Sequence, residues 1–360
     1  MLLRRSYADR TLVLFCSIQR AAALANPAAR FAHVAASYTP LRRDPALFDP
    51  ADVTSWLHPN FKELISAINE ERDTPLVVKQ EVEDVYSFPL LTYEACDRLF
   101  AEVEAFHESG LPARRPNSMN NYGLILNEIG LRDSLTALQQ QLAPLAKALF
   151  PLEGANLDDH HSFCVSYKAD EDAGLDMHTD DSDVTVNVCL GREFTAAGLT
   201  FCGNVGAADH RQESHRYSHV SGRAVMHLGR RRHGADDITE VREAAPTTDR
   251  DTHTPDVGCS SSLLSSQGHR LNLVMWNYNR AFRASDMHLK RGFVREAAAP
   301  TPTCVSYTHD RDFEAIRGQP RPEPRFATTA WCPPPQAEYE GFAGGGGRYA
   351  QVDPFWSPLN

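Results

Sequence analysis

An α+β protein is the fold class this sequence predicts, with a double-stranded β-helix (jelly-roll) core braced by N-terminal helices. Three observations predict it. Short alternating or β-branched segments fill the stretch from 184 to 276: Val184–Leu190, Gly198–Phe201, Arg223–Leu228 and Arg270–Trp276. Such runs are the signature of strands. Upstream, apolar residues recur at three- and four-residue steps, the period of helices that lay one face on a sheet. Last, His178 and Asp180 stand two positions apart just before the first of these strands, with His233 and Arg270 following much later. Metal-binding residue types at strand ends and loop edges, with a cation late in the fold, suit a jelly-roll.

Taken in order, the chain divides into four regions: an N-terminal extension (1–52), a helical support region (53–155), the jelly-roll (156–295) and a Pro/Gly-rich tail (296–360). Met1 to Arg30 carries several Arg, has Asp9 as its only acid and ends Ala-rich. That is compatible with organelle targeting or with a poorly ordered terminus. Trp56 to Glu71 reads as a helix with Pro59 near its start and Phe61, Leu64, Ile65 and Ile68 on one face. Val85 to Leu91 reads as a strand that leads to a helix capped by Thr92. Its apolar stripe is Cys96, Leu99, Phe100, Val103 and Phe106. A further helix over 133–150 carries Leu135, Leu138, Leu142, Leu145 and Leu149, a stripe read as a core face, and Pro144 is expected to kink it.

Between these helices lies Arg115 to Gly123, a polar Asn-rich loop read as a lid or substrate-contacting segment. His160 and His161 precede a strand over Ser162 to Lys168 and are expected at a solvent edge. From about Arg317 onward Pro and Gly accumulate, which predicts a disordered or linker-like tail.

Composition sets the outer limits. A chain of 360 residues, 42% hydrophobic and 23% charged, has enough length for one substantial core and some appendages. A net charge of −11 argues against a general nucleic-acid surface, although Arg230, Arg231 and Arg232 form a local basic patch. No apolar run is long enough to span a bilayer, so no membrane partner is expected. The eight cysteines show no Cys-x-x-Cys spacing, and Cys164, Cys189 and Cys202 fall inside strand-like stretches. Buried, reduced thiols and a cytoplasmic location are the reading.

His178, Asp180 and His233 together offer two imidazoles and a carboxylate to one face of a metal's coordination octahedron. Open positions then remain for a cosubstrate and oxygen, as in non-haem Fe(II) oxygenases. Zinc can be held by the same ligands, so a metal-dependent hydrolase is an alternative. Asp181 adjoins Asp180 and is expected to face solvent or substrate. Thr185 and Asn187, on the strand after the pair, either approach the site or fill the sheet.

At these residues the sequence resembles the 2-oxoglutarate- and Fe(II)-dependent dioxygenases of the prolyl/lysyl-hydroxylase type. The likeness covers roughly residues 37 to 282. It includes the Arg115–Gly123 segment, the leucine-rich helix after it, and Tyr167, eleven residues before His178. The resemblance implies that His178, Asp180 and His233 are the iron ligands at the catalytic centre. It implies that Arg270 pairs with the 5-carboxylate of 2-oxoglutarate and that the Tyr167 hydroxyl helps to hold it. Fe(II), 2-oxoglutarate and O2 are then required, with ascorbate a further family expectation. The implied activity is hydroxylation of a protein or peptide side chain, with release of succinate and CO2.

One departure stands out. In the family about ten residues separate the distal His from the Arg. Here the separation is 37, because Val241 to Gln267 interrupts the motif. With that insert set aside His233 has the family spacing and His227 does not. The insert is rich in Ser, Thr, Asp and Pro and reads as a loop. Its whole-codon length, its GT-starting Val codon and its Gln codon able to end in AG also fit a retained in-frame intron. If it kept Arg270 from closing the cosubstrate site, the chain would be a catalytically silent jelly-roll binding module.

Overall fold

The computed structural model describes residues 27–291, except 118, 169–170, 173, 192–194, 197, 205–213, 237 and 240–268. The strands are β1 (Lys79–Val82), β2 (Val85–Pro89), β3 (Gly123–Ile125), β4 (Asp159–Lys168), β5 (Leu175–His178), β6 (Val184–Cys189), β7 (Thr195–Ala196), β8 (Leu199–Asn204), β9 (His215–Tyr217), β10 (Arg223–Leu228), β11 (Arg231–Ala235), β12 (Ile238–Thr239) and β13 (His269–Tyr278). A seven-stranded sheet runs β1-β2-β10-β6-β13-β4-β3, and a four-stranded sheet runs β5-β11-β8-β9. Neighbours pair antiparallel throughout these two sheets. Sequence neighbours such as β5 and β6 lie in opposite sheets, the alternation of a jelly-roll.

The period of two in β6 decides what goes where. Val184, Val186 and Val188 face the helices, in one apolar cluster with Leu271, Leu273 and Met275 of β13 and Ala224 and Met226 of β10. Their neighbours Thr185, Asn187 and Cys189 turn to the other face, toward the second sheet. There Phe163, Val165, Tyr167, Val225 and Val274 of the large sheet pack with Leu175, Leu199, Phe201, Tyr217 and Ala235 of the small one. Fully burying a valine or leucine contributes about 1.5–3 kcal/mol, so a one-residue slip of β6 would take three valines out of the helix-facing core and put Thr185 and Asn187 into it.

The helical layer comprises α1 (Pro27–Tyr38), α2 (Val53–Trp56), α3 (Pro59–Asn69), α4 (Tyr93–Glu108), α5 (Leu126–Ile129) and α6 (Arg132–Leu149), and α7 (Arg280–Arg283) and α8 (Asp286–Arg291) follow β13. Thr92 caps α4 as expected, its hydroxyl accepting from the Ala95 amide at 3.1 Å. The helix expected from Trp56 begins at Pro59 instead. His58 is held extended (φ −59°, ψ 137°) ahead of the proline, which separates α2 from α3. In α6 Leu135, Leu138, Leu142 and Leu145 are buried, and the helix continues through Pro144.

Three expectations are corrected. The N-terminal extension assigned to 1–52 is folded from Pro27 onward: Tyr38 is fully buried and its hydroxyl donates to Glu102 Oε1 at 2.6 Å, while Arg30 pairs with the buried Glu128. Contacts this distant in sequence leave no local periodicity to read. His160 is not at a solvent edge but 3% exposed inside β4, its ring nitrogens 2.8 Å from Ser162 Oγ and 3.0 Å from Thr136 Oγ1. Arg231 and Arg232 belong to the buried strand β11 and form no surface patch; Arg231 reaches the Glu83 carbonyl at 3.0 Å and Ser214 Oγ at 2.9 Å. The expectations for residues 1–26, the insert 241–267 and the tail 296–360 lie outside the described residues. Among the described residues no helix is long and apolar enough to cross a membrane, and Cys96, Cys164, Cys189 and Cys202 are buried free thiols.

Candidate active site

Two cross-strand relationships build the site. Strand β5 pairs antiparallel with β11 in a register that sets His233 opposite His178, and their ring centroids lie 4.4 Å apart. Directly opposed residues on one face of a sheet are neighbours by construction. The chain then leaves β5 and turns back into β6, which brings Asp180 between the two rings. Asp180 Oδ1 lies 3.5 Å from His178 Nε2, and Asp180 Oδ2 lies 3.6 Å from His233 Nε2. One donor atom from each of the three residues falls within 4.8 Å of the others.

The turn carrying Asp180 is pinned to the β10–β11 turn. Its amide donates to the Gly229 carbonyl at 2.9 Å, and the Gly229 amide donates to the Asp183 carbonyl at 3.2 Å. A Cβ at Gly229 would collide with the Ser182 carbonyl oxygen, so only glycine allows this approach. Thr185 Oγ1 donates to Asp180 Oδ2 at 2.6 Å. Asp183 Oδ2 accepts from the Asn279 amide at 2.7 Å and from Arg283 Nε at 3.0 Å, which ties the same turn to α7. Asp181 is exposed and paired with Arg283.

The electrostatics favour the form a cation needs. Burial pushes the His233 imidazole down to about 3 against the opposing pull of Asp180. Burial would raise Asp180, yet His233 and His178 beside it hold its carboxyl well below the usual range. A neutral imidazole facing an ionised carboxylate is the state from which a metal is bound. The Nδ1 of His233 is 3.0 Å from the Arg231 carbonyl, which holds the proton there and leaves Nε2 to the site. Two imidazole nitrogens and a carboxylate oxygen, buried and on one side, fit a ferrous or zinc ion with open positions.

His227 is fully buried with its ring 4.5 Å from that of His233, and it lies outside the three-residue group. Its Nδ1 is 2.9 Å from the Leu228 carbonyl, and its Nε2 has no hydrogen-bond partner among the described residues.

A partly open cavity lies beside the three ligand candidates, all of which line it. Its walls include Asn117, Met119 and Asn120 from the Asn-rich loop, Tyr167 from β4, Asn187 from β6, and Val274 and Trp276 from β13. Tyr167 is 3% exposed, and its hydroxyl accepts from Asn120 Nδ2 at 3.2 Å. Arg270 sits opposite Tyr167 on the β4–β13 ladder, fully buried, with its guanidinium carbon 4.2 Å from the Tyr167 ring centroid. It also donates to the Gly198 carbonyl at 3.3 Å. Arg270 thus stands behind Tyr167, one residue removed from the cavity wall.

Sequence reasoning left Asn187 open, read the loop that carries Asn120 as substrate-contacting, and missed Asn272 and Trp276. The signal was present for the last two. Arg270, Asn272, Val274 and Trp276 share the inward face of β13 by strict alternation, and two of the four are polar where a plain core would be apolar.

Residues 34–155 match a family model described as an OGFOD2-like domain. The chain is 31% identical over 300 residues to 2-oxoglutarate and iron-dependent oxygenase domain-containing protein 2 of Homo sapiens, covering 77% of each. It is 34% identical over 239 residues to 2-oxoglutarate and iron-dependent oxygenase domain-containing protein CP2 of Arabidopsis thaliana, covering 63% of this chain and 54% of that one. The chain therefore spans about half the length of the Arabidopsis relative. Multifunctional procollagen lysine hydroxylase and glycosyltransferase LH3 of Homo sapiens is 31% identical over 180 residues, or 48% of this chain and 23% of that one.

Proposed function

The chain belongs to the family of 2-oxoglutarate and iron-dependent oxygenase domain-containing protein 2, and from that membership we propose that it is an Fe(II)- and 2-oxoglutarate-dependent dioxygenase. Its substrate would be a protein or peptide side chain, a reading supported by likeness to a procollagen lysine hydroxylase. The observation that carries the proposal is the convergence of His178, Asp180 and His233 beside a cavity backed by Arg270. His178, Asp180 and His233 would hold the ion. When bound, ferrous iron supplies the redox chemistry that couples oxidative decarboxylation of 2-oxoglutarate, to succinate and CO2, with insertion of one atom of O2 into a C–H bond.

The protein's own part is positional. Thr185 and the Gly229 contact fix the Asp180 carboxylate before any ion arrives. Tyr167 and Asn187 give the cavity wall polar groups, and Arg270 supplies a charge that stays on at any working pH. A dicarboxylate in the cavity would lie against Tyr167, with the Arg270 guanidinium stacked behind that ring. Ascorbate dependence is carried by family likeness. A reducing compartment suits both ferrous iron and the buried thiols, whether the cytoplasm or an organelle reached through residues 1–30.

Purified chain incubated with Fe(II), 2-oxoglutarate and O2 is expected to release succinate only when both iron and 2-oxoglutarate are present. Mass spectrometry of a cell extract after incubation should find a product heavier by one oxygen atom. Succinate release that is absent, with hydrolysis of a zinc-loaded sample instead, would replace this reading by a metal-dependent hydrolase. Iron and 2-oxoglutarate binding without turnover would replace it by a silent binding module.

A further inference from the structure

We propose that Asn272 and His219 are positioning residues that set which end of the Asn187 side-chain amide faces the cosubstrate. The inference rests on the oxygenase reading above. Asn187 is 7% exposed, lines the cavity, and lies two residues along β6 from Thr185, which bonds the ligand candidate Asp180. Residues two apart on a strand share a face, so Asn187 is the first polar group beyond the metal-binding group on that wall.

An amide presents donors at one end and an acceptor at the other, and only its partners decide which end points where. Asn272 Nδ2 donates to Asn187 Oδ1 at 2.7 Å, and the same Nδ2 faces His219 Nε2 at 3.2 Å. Both hydrogens of Asn272 are thereby committed to acceptors. With its oxygen held by Asn272, Asn187 has its NH2 group left for the cavity. That gives an anionic cosubstrate two N–H donors in place of an oxygen that would repel it.

The reverse arrangement is self-consistent as well. With its proton on Nε2, His219 would donate to the Asn272 oxygen; Asn272 would then accept from Asn187, and Asn187 would show its oxygen to the cavity. The tautomer of His219 therefore sets the polarity of a wall residue two side chains away. Burial and the nearby charge of Arg270 keep His219 neutral, so the ring has a tautomer to choose.

Stability does not explain the relay. His219 Nδ1 and Asn272 Oδ1 are buried without hydrogen-bond partners among the described residues. A buried polar pair with unmet groups is worse for folding than a well-packed apolar pair of the same shape.

The test is anaerobic titration of the Fe(II)-loaded full chain with 2-oxoglutarate, followed by the visible charge-transfer absorption and, separately, by the rise in melting temperature. In Asn272→Asp the carboxylate cannot donate to Asn187 Oδ1, so Asn187 turns its NH2 away from the cavity. We expect 2-oxoglutarate affinity to fall about tenfold or more while Fe(II) affinity stays within about twofold. In an Asn187→Ala background the same Asn272→Asp change should have little further effect, since the group it acts through is gone. His219→Gln, which keeps an acceptor, should bind 2-oxoglutarate nearly as the wild type does, and His219→Phe should not. Unchanged affinity in Asn272→Asp, or an equal loss with and without Asn187, overturns the proposal. If Asn272→Asp does not fold, the comparison of His219→Gln with His219→Phe decides, and equal affinities overturn it. A wild-type chain that holds Fe(II) but gives no response to 2-oxoglutarate would instead refute the oxygenase reading.

Discussion

His178 and His233 face each other across the β5–β11 ladder with ring centroids 4.4 Å apart, and Asp180 reaches both. A register fixed by backbone pairing therefore places two of the three ligand candidates without any help from the ion.

It follows that His178→Ala and His233→Ala should keep the fold and lose the metal. Each removes one of three donors, and iron-dependent succinate formation is expected to drop to the background without protein. His227→Gln should retain metal binding, because His227 lies outside the donor group. Metal affinity measured by competitive chelation decides. Loss of iron in His227→Gln with retention in His233→Ala would reverse the assignment of the distal ligand.

Arg270 is the second sensitive point. Bidentate, charge-assisted pairing with a carboxylate contributes about 1.5–3 kcal/mol, so Arg270→Ala should weaken 2-oxoglutarate binding by about 10- to 100-fold. Arg270→Lys should recover only part of that, since an ammonium lacks the planar fork and the stack on Tyr167. The apparent KM for 2-oxoglutarate is the quantity to measure. Equal KM in wild type and Arg270→Ala would remove Arg270 from cosubstrate binding.

Gly229→Ala tests the turn that carries Asp180. The added methyl must push Ser182 away and, with it, the hydrogen bonds that hold Asp180 and Asp183. Both stability and metal affinity should fall, with a destabilisation of about 1–3 kcal/mol, typical of overpacking. A variant with wild-type melting temperature and wild-type iron affinity would show that the turn has more slack than the contact implies.

Acid should loosen the β4–α6 junction. Burial lowers His160 from 6.5 to about 4 in the folded chain, so the unfolded state binds more protons between those values. Its contribution to stability is full above pH 6.5 and is lost as pH falls toward 4, up to about 3 kcal/mol. His269, also lowered to about 4 by burial, acts in the same direction. Urea unfolding at several pH values should show a shallower loss in His160→Gln than in wild type. Identical slopes would mean that another group dominates.

Legibility varied with the range of the interactions. Strand β10 is read from its own residues, Arg223–Leu228, because a strand buried on both faces is a short, nearly continuous apolar run. The same holds for Thr92, whose cap is a three-residue event. His178 and Asp180 were legible through their two-residue spacing, and His233 through the family resemblance. What was not legible depended on partners far along the chain. The burial of Arg231 and Arg232, and the docking of α1 through Tyr38 and Glu102, have no local mark. Asn272 did carry a local mark, a polar residue on the inward face of β13, but its partner Asn187 lies 85 residues away.

Strand β13 is matched residue for residue with β4 from His269 to Tyr278, and held on its other edge by β6. Its address is written by those two neighbours and not by the thread that delivers it. Any length of chain between Thr239 and His269 that lets β13 reach this slot brings Arg270 to the same place behind Tyr167. A chain with or without residues 241–267 can therefore keep the same pairing of β13 with β4 and β6.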